Sequence, residues 1–141
     1  MYFKGTKSSI MNQHTISRIA IWLLAIVMII FGVQHFRNPQ NMLIYVPQYI
    51  PGGIIWVYFV GAAFILAGLA FIFNRYVSLA GYLLAALLFI FVFTIHLPNY
   101  RFSGDKEMSQ LAFVNLLKDL ALGAFALHIA ANAKHQRFND V

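Results

Sequence analysis

The residues of this sequence best suited to chemistry are His35, His96, Asn115, Lys118 and Asp119. Each stands in or at the end of a long apolar run, where keeping a polar side chain is costly. Asn115 lies three residues before Lys118 and four before Asp119, so on a helix all three share one face. An ammonium beside a carboxylate can form an ion pair or relay a proton. An imidazole changes charge near neutral pH and can give or take a hydrogen bond. Such groups would serve a small ring-shaped lipophile whose carbonyl oxygens need donors. These five are therefore the candidate ligand-binding residues. Their types and spacing assign no catalytic role and form no metal site.

Each also has a plainer reading. Lys118 can run its ammonium along the helix towards the nearer interface. Asp119 can be protonated, or tied to Lys118 or a histidine as a purely structural pair. His35 and His96 end two apolar runs, close to Gln34 and Asn99, and His128 is read as an interfacial residue at the opposite end. The site reading depends on convergence of the five.

Whole classes of chemistry drop out. With no cysteine, the chain has no disulfide, thiolate nucleophile, Cys-ligated zinc, iron–sulfur cluster or covalent haem attachment. It has no dinucleotide-binding fingerprint either. Bis-histidine haem ligation by His35 and His96 is a further, less favoured reading, because histidines at helix ends are common.

The elements that must position these residues follow from composition. Of 141 residues, 61% are hydrophobic and 10% charged, and the mean hydropathy is +0.73. A soluble domain carries roughly a quarter charged residues, so lipid must supply much of this chain's solvent. Four apolar runs, about 16–36, 53–73, 76–97 and 111–131, each approach the roughly 20 helical residues that cross a hydrocarbon core. The expected fold is all-α: a polytopic, antiparallel bundle of four transmembrane helices, with tails at 1–15 and 132–141. The first run reads as a retained span, because it is too long for a signal peptide and Phe31-Gly-Val-Gln-His-Phe36 offers no small-residue cleavage site.

Charge sets the expected direction. Lys4, Lys7, Arg18, Arg75, Lys134 and Arg137 fall on one side of the spans, and Arg37, Arg101 and Lys106 on the other. That excess places both termini in the cytoplasm. The net charge of +6 therefore marks orientation, and no basic run with interleaved aromatics exists to follow nucleic acid. Trp22, Trp56, Tyr58, Tyr76 and Tyr100 lie near the span ends, where amphipathic rings prefer to sit.

The short turn at Asn74-Arg75 makes the second and third spans antiparallel neighbours. Gly61, Ala62, Ala63, Ala67 and Gly68, then Gly81, Ala85 and Ala86, then Ala121, Gly123, Ala124 and Ala126 permit close helix packing. In this topology the first and third spans finish on the side where the fourth begins, which brings the five candidate residues together. Lys118 and Asp119 then lie about 10–12 Å below the boundary. The segment Arg37–Gly52 holds Pro39, Pro47 and Pro51 beside Met42, Leu43, Ile44, Tyr45 and Val46. It is expected at the outer interface or as a cap on the bundle mouth, with an exposed turn-rich loop as the alternative. Val33-Gln-His-Phe-Arg-Asn-Pro39 and Thr94-Ile-His-Leu-Pro-Asn99 form a faint echo, of the kind two parallel hairpins of common origin would leave.

From Ile16 to Ala131 the sequence resembles the DoxX and DoxX-like family of small four-helix membrane proteins. The likeness is carried, in order, by Phe31-Gly-Val-Gln-His-Phe-Arg-Asn-Pro39, Val46-Pro…Pro51, Trp56-Val-Tyr58, Asn74-Arg75, His96 with Pro98-Asn99, and Lys118-Asp-Leu-Ala-Leu-Gly123. It implies a bacterial cytoplasmic-membrane protein in a family named for a subunit of a thiosulfate:quinone oxidoreductase or terminal oxidase complex. Related bundles that perform thiol–quinone chemistry use a cysteine pair, which this chain lacks. Two functions are carried forward. One is a quinone-handling or accessory subunit, with electrons supplied by a membrane redox partner. The other is a non-catalytic bundle that binds a partner protein or small lipophile. Whether the chain is an enzyme stays open at this point.

Overall fold

Long apolar stretches have one way to satisfy their own backbone in hydrocarbon without a closed barrel, and that is the α-helix. The computed structural model describes residues 4–136, with side chains from 11 to 134. The described residues are helices and short connections, with no strand among them. The order is α1 (Lys4–Arg37), α2 (Pro39–Leu43), α3 (Ile54–Ile72), α4 (Val77–Phe91), a widened π turn (Val92–His96), α5 (Leu97–Phe102), α6 (Lys106–Ala131) and a 3-10 turn (Ala133–Gln136). Because α4, the π turn and α5 form one rod, four helical stretches are long and apolar enough to cross a membrane: Met11–Arg37, Ile54–Ile72, Val77–Phe102 and Lys106–Ala131. The chain is an all-α, multi-pass membrane bundle.

The helices overrun the apolar runs. The stretch before Ile16, expected as a tail, is helical from Lys4. α6 starts five residues before Leu111, because Asp105 caps it by accepting a hydrogen bond from the Glu107 amide at 3.0 Å. The third rod passes through Pro98, which occupies an early position of α5. A proline there lacks an amide and crowds the carbonyl four residues back. The widened turn just upstream, closed by the Leu97 amide onto the Val92 carbonyl, accommodates it. Of the orienting charges, Lys4 and Lys7 have no described side chain, and Arg137 lies outside the described residues together with the rest of 137–141.

The helices form two close pairs. α1 packs along α3 and α4 along α6, while α3 and α4 touch less and join through a short turn. Glycines explain the closeness within pairs. A Cβ on Gly32 would sit 2.6 Å from the Gly61 carbonyl oxygen, and one on Gly68 2.7 Å from that of Ala25. In the other pair, a Cβ on Gly81 would meet Ala130 Cβ at 2.8 Å, and one on Gly123 the Phe89 ring at 2.7 Å. Gly32, which the sequence reading passed over, is as tightly placed as any of the residues it selected.

At the end of the bundle where α6 finishes, α3 stops where Asn74 turns left-handed (φ 54°) and the Arg75 amide reaches back to the Ala70 carbonyl. The Asn74 side chain accepts a hydrogen bond from Arg18 Nη1 at 3.1 Å, tying α1 to this turn. Ile21, Met28, Phe71 and Leu88 fill the solid core in this half. At the opposite end, which carries the 38–53 segment, the bundle is hollow.

Candidate functional site

Asp119 is the one buried carboxylate among the described residues, at 4% exposed. It sits on the α6 face that packs against α4. An ionised carboxylate offers only acceptors, and its two oxygens face different partners. Oδ2 lies 2.9 Å from His96 Nε2, and Oδ1 lies 3.5 Å from Lys118 Nζ. Against an ionised carboxylate His96 would carry its proton on Nε2 and donate it to Asp119. His96 Nδ1 is then left buried and without a partner.

The lysine does not stand apart. Its Nζ donates to Asn115 Oδ1 at 3.3 Å, the three-residue spacing on one helix face, and lies 5.0 Å from the centre of the Phe31 ring on α1. An ammonium over an aromatic face is held by the ring's quadrupole. His35 behaves differently from His96. Its Nδ1 donates to the Phe31 carbonyl at 2.7 Å within its own helix, and its ring stands edge-on to Phe64 at 5.4 Å.

All five candidate residues line one cavity of about 390 Å³ at the hollow end. His35 contributes from α1, His96 from the widened turn, and Asn115, Lys118 and Asp119 from α6. The remaining walls are apolar and aromatic, chiefly Phe31, Trp56, Phe64 and Phe91. The roof is the proline-rich segment, whose Met42, Tyr45, Val46, Pro47 and Ile50 face inward. This segment is a cap and carries the short helix α2. Trp56 fastens it by donating Nε1–H to the Pro51 carbonyl at 2.8 Å. A concave apolar chamber with a few convergent polar groups is the usual form of a small-molecule site. His128 lies away from it, at the other end of α6, with its Nδ1 3.4 Å from Asn132 Nδ2.

Bis-histidine haem ligation does not fit this arrangement. His96 gives one ring nitrogen to Asp119, and the other is buried from the cavity. No group of three or more His, Cys, Asp or Glu side chains among the described residues is placed to hold a metal ion.

Residues 24–133, well over half of the chain, match a family described as a domain of unknown function, DUF8561. The chain belongs to that family. No curated protein and no solved structure matches it. The DUF8561 region begins within α1 and ends just past α6, so it contains every residue that lines the cavity. Within it, the residues that sequence reasoning missed are the aromatic walls. Phe31 stands four before His35, a spacing that already placed it on the histidine's face. Phe64 and Phe91 had no such marker, because an apolar run hides which phenylalanines face inward.

Proposed function

We propose that the cavity binds a quinone-type ring, and that the chain is a quinone-handling or accessory subunit of a membrane redox system. One observation carries this: the five polar side chains converge in a ring-sized aromatic chamber instead of dispersing over the bundle. Lys118 supplies a cationic donor to one carbonyl oxygen. The His96–Asp119 pair, already bonded to itself on the cavity wall, supplies a place to hold a proton. Reduction of such a ring takes two electrons and two protons. With no thiol and no dinucleotide fingerprint, the chain draws the electrons from a membrane redox partner. The likeness to the DoxX family supports the same reading and a bacterial cytoplasmic membrane, and the charge pattern supports cytoplasmic termini, with the cavity then in the outer half of that membrane. Reporter fusions at Val141 and insertions at Gly104 should then report opposite sides, with Val141 cytoplasmic.

The test is what the purified chain retains. Organic extraction followed by mass spectrometry should give quinone in stoichiometric amount. Asp119→Asn and Lys118→Leu should each abolish retention while leaving expression and helix content intact. Absence of any quinone from the unaltered chain, after supply of quinone in the membrane, sinks the proposal.

A second reading has an observation of its own. Both oxygens of Asp119 are already engaged inside the protein, as they would be in a structural tie within a non-catalytic bundle that binds a partner protein or another small lipophile. Under that reading the same two substitutions lower stability and leave retention of any lipophile unchanged.

A further inference from the structure

We infer that the ligand reaches the cavity from the lipid, through the seam between α1 and α6, and is an amphiphile whose hydrocarbon tail lies in that seam while its ring occupies the chamber. This rests on the quinone-site reading and adds to it a route and a ligand class.

Three observations point to that seam. First, the four helices form two glycine-packed pairs with the cavity between them. On the α3–α4 side of that division the Phe64 and Phe91 rings meet edge-on at 6.4 Å, whereas α1 and α6 are not packed along each other. Second, at cavity depth α1 and α6 meet in a soft contact, the Lys118 ammonium over the Phe31 ring. Both residues line the chamber. Third, the Lys118 side chain is 42% exposed although it lines the cavity, while the adjacent Asp119 side chain is 6% exposed. Chamber and outer surface therefore meet at Lys118.

A chamber of about 390 Å³ accommodates a ring with short branches and has no room for a long chain. A tailed molecule must leave its tail outside, and hydrocarbon is stable only in lipid or apolar protein. The roof is held to α3 by the Trp56 indole on the Pro51 carbonyl. A lysine methylene stem and a phenyl ring are also walls against which a hydrocarbon chain packs well.

The test uses the full chain in lipid nanodiscs with two photoreactive benzoquinones. One carries an azide on the ring. The other carries a decyl tail with a diazirine close to the ring. Labelling counts only where excess unmodified decyl-benzoquinone removes it. The ring probe should label cavity peptides. The tail probe should label α1 around 27–31 and α6 around 114–122 severalfold more than α3, α4 or the 38–53 roof. Tail label on the roof or on the α3–α4 side, with ring label still in the cavity, overturns the seam and leaves the quinone site standing. A ring probe that labels no cavity peptide overturns both.

Discussion

The bond between His96 and Asp119 should be worth more to the fold than the bond between Lys118 and Asp119, although the second joins opposite charges. The difference lies in what each contact spans. His96 and Asp119 are 23 residues apart on two helices, buried, and 2.9 Å apart. Lys118 and Asp119 are neighbours on one helix, 3.5 Å apart, with the lysine largely exposed. Membrane helices keep their secondary structure when a bundle comes apart, so a contact within α6 persists in the dissociated state and cancels from the difference. A contact between helices is lost. A hydrogen bond to a charged group is worth about 1.5–3 kcal/mol in buried soluble sites. In membranes the measured couplings run lower, about 0.6 on average and up to about 1.7 kcal/mol, because dissociated helices find other partners. The His96–Asp119 coupling is therefore expected at about 1–2 kcal/mol, and that of Lys118–Asp119 below about 0.5 kcal/mol. Two double-mutant cycles built from His96→Ala, Lys118→Ala and Asp119→Ala, read by reversible unfolding in mixed micelles, measure both. If the lysine couples as strongly as the histidine, or the histidine not at all, the argument fails.

The same unfolding assay tests the helix contacts. Gly32→Ala should destabilise by about 1–3 kcal/mol, the range for overpacking, because its Cβ would lie 2.6 Å from the Gly61 carbonyl oxygen, which cannot yield without moving α3. Gly104→Ala, with nothing within 4 Å of its Cβ, should leave stability unchanged. Asn74→Gly keeps the left-handed turn but removes the acceptor for Arg18, a loss of about 1 kcal/mol. Asn74→Ala should cost a further 1 kcal/mol or so, since alanine resists that backbone region. Equal losses for the two Asn74 variants would show that the turn conformation carries no strain.

The number and order of the helices were legible because hydrophobic run length and short turns are sequence properties. The candidate site was legible for a different reason. In an apolar run, Asn115, Lys118 and Asp119 stand out as costly, and topology alone puts two helix-ending imidazoles at their level. That Asp119 would pair with Lys118 or a histidine was legible, but which histidine was not. His35 and His96 hold equivalent places, yet one bonds to its own helix and the other to Asp119. A widened turn beside Pro98 makes His96 different, and its position depends on how the helix relieves the proline. The continuation of α1 back to Lys4 and of α6 to Lys106 was hidden as well. Polar residues can extend a helix beyond the hydrocarbon without any apolar signature, and Asp105 sets the start of α6 through a cap of a single residue.

Why the bundle is hollow at one end follows from the sizes of the residues between the two pairs. Towards the termini the buried residues include Ala25, Ala67, Ala85 and Ala126, which let the pairs close until side chains of all four helices share one core. Towards the cap, the corresponding places hold Phe31, Phe64 and Phe91, with the Phe64 and Phe91 rings meeting edge-on at 6.4 Å across the division. These larger rings line the space between the pairs. The polar groups fall on both sides of that division in unequal shares. His96 and Asp119 lie on the same side of that division and bond to each other, whereas Lys118 reaches across it to Phe31. On the proposed reading, a molecule entering between the pairs would meet the His96–Asp119 pair on one wall, and its size would be felt at the lysine–phenyl contact that spans the opening.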